Sequence, residues 1–589
     1  MVSIVCLNWM FSSIRECILG AMRPFSQPGV VVSCDEVLIG QPKDKILGDL
    51  YTNAAMMFAK RLKVVPKVLA EAICKELNKN ENISEVSIAG AGFINFRLNN
   101  EAWQHVISEI IETEDWYSYS NIFNDTPINL EFVSANPTGP LHTGHARNAV
   151  FGSVVANLLE RMGYKVTREF YINDQGNQIK FLARSVYLRY CEALGATISE
   201  NDFTSDMYCG EYIKDLAKGL IEEHGNKYLN KEETEWLDFF CRYSIDKMME
   251  NVKKDLALLG VVMNQYTSEA ELCKRNLVNE ALEILKKHGD IYEGILPRPK
   301  GIADSDDWEE RPQTLFRSTK YGDDVDRAIR KADGTWTYFA GDLAYHLDKI
   351  KRGFTKMIAI LGADHNGYVK RLKSAVSALS EGHASLEVRL YQLVNFLENG
   401  TPVRMSKRAG TFITLKEVVE RVGKDVTRYM MISRHHDVMI DFDFVKAVEQ
   451  SMDNPLFYIQ YAYARICSVF RCFEAENGKI DKNELIGCDK SILSDETELS
   501  LIKALAFWKE QIKSAAIAIE PHRVPAYMQN IASLFHALWN KGKINTNLRF
   551  IDTTNRKYTV ARLSLLMATK SILDDGFDII GVTPMSEMR

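Results

Sequence analysis

The chain has 589 residues, too many for one hydrophobic core, so two to four domains are expected. An apolar share of 46% with 25% charged residues excludes the disordered, collagenous and membrane-embedded classes. A net charge of −6 argues against a polyanionic partner unless positive charge is clustered locally.

In chain order, residues 1–29 are an N-terminal extension of unknown role. Met1 to Met22 is fairly apolar, but Arg15 and Glu16 interrupt it and no basic leader precedes it, so neither an export signal nor a membrane span is expected. Residues 30–125 suggest a small α+β unit. A helix is expected near Leu50 to Arg61 and another opens at Pro66, since proline suits a first helical position. Ile94, Phe96 and Leu98 then alternate as a strand does.

Residues 126–450 suggest an α/β domain. Pro127 to Ser134 is strand-like, and His145 to Met162 places Val150, Val154, Leu158 and Met162 at helical spacing. Val166 to Ile172 is β-rich again, which makes a βαβ unit and implies a parallel sheet. A charged insertion, about 176–312, includes the helical stretch Glu232 to Leu259. After it, Lys356 to Leu361 and Val388 to Leu397 are expected to resume the sheet, with a hairpin at Gly400 to Pro402. Residues 451–589 show helical spacing almost throughout, so an all-α C-terminal domain is expected. The fold class is thus α/β, with a Rossmann-type parallel-sheet domain between a small α+β domain and a helical one. Eleven cysteines, from Cys6 to Cys488, include no Cys-x-x-Cys pair, so reduced thiols in the cytoplasm and no structural metal are expected.

Glu131 to Arg147, EFVSANPTGPLHTGHAR, lies where a strand ends and a helix begins, the place where open α/β sheets bind ligands. Gly139 and Gly144 permit close approach of a phosphate, the helix start supplies positive partial charge, and His142 and His145 can donate to phosphate oxygens. An isolated His-x-x-His is more often a metal pair or two capping histidines. Here Asn136-Pro137 and Pro140-Leu141-His142-Thr143-Gly144-His145 together resemble the HIGH signature of class I aminoacyl-tRNA synthetases, with Thr143 in place of isoleucine.

More than 250 residues on, Arg404-Met405-Ser406-Lys407-Arg408 precedes a helix start at Thr414 with Glu417 three residues later. It resembles the KMSKS loop of the same family, with Arg404 for the first lysine and Arg408 for the last serine. The resemblance implies that Met405, Ser406 and Lys407 close over ATP and that Lys407 neutralises charge on departing pyrophosphate. Some relatives carry a lysine shortly before the first histidine instead; here that residue is Gly139. Pro140, His142, Gly144 and His145 are assigned to ATP on the same ground, with His142, His145 and Lys407 as the catalytic set.

The amino-acid pocket narrows the family. A guanidinium is planar and permanently charged, so an arginine pocket needs carboxylates. Glu131 and Asn136, with Tyr338-Phe339-Ala340-Gly341-Asp342-Leu343-Ala344-Tyr345-His346, resemble arginyl-tRNA synthetases. That resemblance implies that Glu131 and Asn136 hold the substrate's ammonium and carboxylate, while Tyr338 and Asp342 face its side chain. Position 341 is often larger in the family than the Gly341 found here. Leu361 to Tyr368 follows a strand, and Gly362, Asp364 and His365 are assigned to ATP.

The run Asn454 to Cys467 resembles the start of the family's helical anticodon-binding domain. Between Lys541 and Lys570 seven basic residues face one acid, Asp552, with Trp539 nearby. Trp539, Lys541, Lys543 and Arg549 are assigned to tRNA, since unpaired bases are read by stacking and by backbone charge. The implied partners are ATP with Mg2+, L-arginine and tRNA(Arg), and the implied state is a cytoplasmic monomer. Residues 1–29 lie outside the resemblance, and their removal is expected to leave charging intact. An adenylate-forming nucleotidyltransferase and a non-catalytic tRNA-binding scaffold are the rival functions.

Overall fold

Pro127–Glu131 is the middle strand of a five-stranded, all-parallel sheet in a computed structural model. The model describes residues 10–588 apart from 43, 114–124, 200–201, 297–311, 332 and 404–412. The strands are β1 (Pro127–Glu131), β2 (Lys165–Ile172), β3 (Gln265–Ser268), β4 (Lys356–Gly362) and β5 (Ser385–Tyr391), in spatial order β5-β4-β1-β2-β3. Every neighbouring pair is parallel. Ile128, Leu130 and Met357 to Ile360 are buried, the pattern of strands covered on both faces. The chain turns first to one side of β1 and later to the other, so a ligand crevice lies at the C-terminal ends of β1 and β4.

Helix α1 (Thr143–Arg161) crosses from β1 to β2. It packs close because Gly152 faces Phe132: a Cβ at residue 152 would fall 2.2 Å from the phenyl ring. The expected helices at Pro66 and Glu232 form, as Pro66–Leu77 and Glu233–Leu258.

Four expectations change. The insertion is not wholly outside the sheet, because the short polar segment Gln265–Ser268 is strand β3. Four residues with little apolar content leave no sheet signal in sequence. The run Val388 to Leu397 divides between two sheets. Gln392 donates its N–H to His436 and accepts from Arg147, which ends β5, and Val394–Glu398 pairs instead with Ile440–Asp443 and Thr401–Pro402. The last of these pairs is the expected hairpin, turning at Asn399 and Gly400, both at positive φ. Near the N-terminus, Leu50–Thr52 is a strand and the helix begins only at Ala54.

The fourth change concerns the N-terminal extension. Met10–Met22 is a helix packed on Pro66–Leu77, with Phe11, Ile14 and Ile18 fully buried. Arg15 reaches Glu510 of the helical body at 2.7 Å and donates to the Val37 carbonyl at 3.1 Å. A boundary at residue 29 is therefore too late, since part of the extension is core. The small sheet of this unit has Phe93–Leu98 in its middle, with Ile94, Phe96 and Leu98 buried as their alternation requires.

The C-terminal body is helical from Pro455–Asn477 to Arg556–Ile580. It docks on α1, where Asn157 donates to the Ile579 carbonyl at 2.8 Å. Arg428, fully buried, bonds the Ile580 and Leu259 carbonyls at 2.7 and 2.8 Å. Among the described residues no helix is long and apolar enough to cross a membrane.

Candidate active site

The start of α1 is built by its two histidines. His142 is the N-cap, and its Nδ1 accepts from the Gly144 N–H at 3.1 Å, while His145 Nδ1 accepts from the His142 N–H at 3.2 Å. This is a capping box made of imidazoles. Because each Nδ1 is an acceptor, each neutral ring carries its proton on Nε2. The rings stack with centroids 3.9 Å apart. Capping thus uses the Nδ1 atom of each ring.

The segment before them is strained. Val133 and Ser134 have φ of 69° and 39°, and a β-branched residue seldom adopts the left-handed region. Asn148 holds them, accepting from the Val133 N–H at 3.0 Å and donating to the Ile360 carbonyl of β4 at 3.1 Å. Pro140 and Gly144 are half-buried at this turn. Tyr212, from the insertion, donates to the Thr138 carbonyl at 2.9 Å and closes one side.

The base of the second signature meets the first. His142 and Thr414 form an antiparallel bridge, with Thr143 N–H donating to Ile413 at 3.2 Å and Leu415 N–H to Leu141 at 2.8 Å. Thr414 caps the helix Leu415–Val422 in a capping box with Glu417, as expected. Met405, Ser406 and Lys407 lie outside the described residues. Arg147, fully buried on α1, donates to the carbonyls of Gln392 (2.6 Å), Val438 (2.9 Å) and His435 (3.0 Å). Burial lowers its guanidinium to about 10, against the opposing pull of Tyr391 and Asp437.

At the end of β1, Glu131 is buried and already bonded, accepting from Lys349 Nζ at 2.7 Å and from the Ser134 hydroxyl at 3.1 Å. Lys349 comes from helix α2 (Tyr338–Lys351), which also carries Asp342. Burial raises the Asp342 carboxyl to about 7, and the charges of Glu131 and Glu269 add to the rise, against Arg371 and Lys349. Glu269 is itself raised, by burial and then by Asp174. Tyr171 is pushed up by burial and by Glu269, Asp342 and Glu131 in turn. Three carboxylates and a phenol therefore lie close together, with Lys349 and Arg371 as the opposing charges.

Glu269 was not found from sequence. It approaches Gly341, where a Cβ would stand 2.9 Å from Glu269 Oε1. Lys349 and Tyr171 were likewise missed, since only the α2–sheet contact brings them to Glu131. Asn136 and Tyr338 stand apart from this largely half-buried group. Asn136 is exposed and donates to Gln178 at 3.2 Å, and Tyr338 is 69% exposed. After β4, Asp364 folds back over Gly362, and Asp364 and His365 are both exposed, with 3.7 Å between their charged atoms.

On the helical body, Trp539, Lys543, Arg549 and Phe550 line an open cavity of about 340 Å³. Trp539 packs against Phe535 and Phe550, with the Arg465 guanidinium 4.9 Å from its ring. The basic run does not form one free positive face. Lys541 pairs with Asp495 at 2.8 Å, Arg556 with Glu484 at 2.9 Å, and Arg562 with Glu498 at 3.1 Å in the interior. Of the assigned set, Lys543 and Arg549 are exposed, and Lys541 is half-buried and ion-paired.

Comparison with known proteins agrees with this architecture. Residues 12–98 match the arginyl tRNA synthetase N terminal domain, 106–455 the catalytic domain of class I (R) tRNA synthetases, and 459–588 the DALR anticodon binding domain. The arginine–tRNA ligase of Parvibaculum lavamentivorans is 47% identical over 97% of this chain and 98% of its own. That of Wolbachia pipientis wMel is also 47% identical, over 98% and 100%. The structure of Thermus thermophilus arginyl-tRNA synthetase shares the fold at a TM-score of 0.71 and 18% identity, covering 98% of this chain and all of that one. With a catalytic-domain match over more than half of its length and relatives of this identity along nearly all of it, the chain belongs to the arginyl-tRNA synthetases of class I.

Proposed function

We propose that this protein is an arginine–tRNA ligase that works in two steps at the β1–β4 crevice. The arginine carboxylate attacks the α-phosphate of MgATP, forming arginyl-adenylate and releasing pyrophosphate. A 3'-terminal ribose hydroxyl of tRNA(Arg) then attacks the adenylate carbonyl, forming the ester and releasing AMP. Positioning and charge stabilisation suffice for both, without a side-chain nucleophile.

The observation that carries this reading is the backbone bridge between His142 and Thr414, which joins the histidine-bearing helix start to the segment that follows the second signature. Nε2–H groups of His142 and His145, with the backbone at Pro140 and Gly144, bind the phosphates. Gly362, Asp364 and His365 take the nucleoside end. Met405, Ser406 and Lys407 close over the pyrophosphate, with Lys407 compensating its charge as the bond breaks. Asp342 binds the guanidinium, with Glu269 as a second acidic wall. Glu131, held by Lys349, meets the ammonium, with Asn136 and Tyr338 at the open rim. Trp539 offers a stacking face, and Lys543 and Arg549 offer phosphate contacts, to the tRNA anticodon loop. Cysteines without paired spacing support a cytoplasmic location, and the monomer is the state that family membership suggests.

Pyrophosphate exchange with each amino acid, with and without tRNA, tests the proposal. Arginine alone should support exchange, and only when tRNA is present. Exchange with another amino acid, or none with arginine, tRNA and MgATP together, would overturn it.

A further inference from the structure

We propose that His435, Glu520 and His522 form a binding site for a divalent transition cation of the zinc class, joining the catalytic body to the helical body. His435 lies in the turn between the catalytic helix Lys424–Met431 and strand Ile440–Asp443, and Glu520 and His522 lie in the turn before helix Arg523–Ile544. One ligand atom from each of the three lies within 4.8 Å of the others. His435 Nε2 and Glu520 Oε1 are 3.4 Å apart. Two ligands on a tetrahedral zinc, with bonds of about 2.0 to 2.1 Å, stand about 3.3 Å apart, so this pair needs no rearrangement.

The surroundings orient each ligand. His435 Nδ1 is hydrogen-bonded to the Asp437 carboxylate, the arrangement that fixes a ligating imidazole and raises its basicity. Arg523 holds the other oxygen of Glu520, Oε2, at 2.5 Å, which leaves Oε1 toward His435. The His522 ring stands edge-on to His435 with centroids 4.8 Å apart, and its buried Nδ1 has no hydrogen-bond partner among the described residues. Burying such an atom unbonded is costly, and a shared cation would supply the missing partner. Two imidazoles and one carboxylate suit zinc rather than magnesium or calcium, which take oxygen ligands. A water completes four-coordination. The site connects to α1, because the His435 carbonyl accepts from Arg147.

The rival is an ion pair of protonated His435 with Glu520 that takes no metal. Cobalt titration of full-length, chelator-treated protein, without ATP, separates the two. One equivalent should bind with the visible absorption of a four-coordinate nitrogen and oxygen site, be displaced by zinc, and raise the apparent Tm. His522→Gln and Glu520→Gln should each weaken binding at least about tenfold, and Asp437→Asn, which removes no ligand, about tenfold. The proposal is overturned if the unaltered protein binds no cobalt, if the spectrum shows thiolate charge transfer from its cysteines, or if both ligand variants bind as the parent does.

Discussion

His142 and Thr414 face each other across an antiparallel bridge, so the loop that precedes Thr414 is anchored at the histidine-bearing start of α1. Because the anchor is backbone, it survives side-chain changes in the loop itself. Lys407→Ala should therefore slow arginine-dependent pyrophosphate exchange roughly 10²- to 10³-fold, with the arginine KM within about threefold. An unaltered exchange rate would remove Lys407 from the catalytic set.

Asp342 is set against Glu131 and Glu269, with Arg371 and Lys349 offsetting them only in part. Asp342→Asn should lower kcat/KM for arginine by roughly 10³-fold or more and change the ATP KM little, because the guanidinium loses a charged, planar partner. Stability should move the other way. Removing an incompletely compensated carboxylate should raise the Tm of the unliganded protein, the usual trade at a ligand pocket. Equal effects on arginine and ATP would place the guanidinium site elsewhere.

The same carboxyl gives a pH dependence whose sign follows from its shift. Asp342 titrates at about 7 when folded, against 3.8 as its ordinary value, so the unliganded folded state binds more protons between those limits. Its contribution to stability therefore falls as pH rises from 4 through 7. Arginine binding needs the charged carboxylate and runs oppositely: affinity should drop about tenfold from pH 8 to pH 6. Calorimetric titration of arginine at both pH values decides; a flat profile would mean that Asp342 is ionised throughout.

The helix Met10–Met22 buries Phe11, Ile14 and Ile18 and pairs Arg15 with Glu510. Burying each large apolar side chain is worth about 1.5 to 3 kcal/mol. Deleting residues 1–22 should therefore lower the apparent Tm by several degrees and expose apolar surface, measurable by scanning fluorimetry and dye binding. An unchanged Tm would return this segment to the status of a dispensable leader.

The strand ending at Glu131, the helix start at His142 and the capped helix start at Thr414 were legible in the sequence because short signatures record local requirements. A strand end, a small turn and a helix start must be contiguous for backbone N–H groups to face a phosphate. The parallel sheet was legible for the same reason, through the periods of Pro127 to Ile172. Other features are decided by contacts between residues far apart in the chain. Gln265–Ser268 is a strand only because β2 pairs with it. Glu269 lies against Gly341, and Glu131 is ion-paired because α2 brings Lys349 to it. Lys541 and Arg562 looked like a basic face until Asp495 and Glu498 were found beside them. The sequence by itself determined which chemistry the chain carries, since that chemistry is written in contiguous residues. Only the tertiary structure decided which charges are already partnered and which await a ligand, because charge balance belongs to space rather than to chain order.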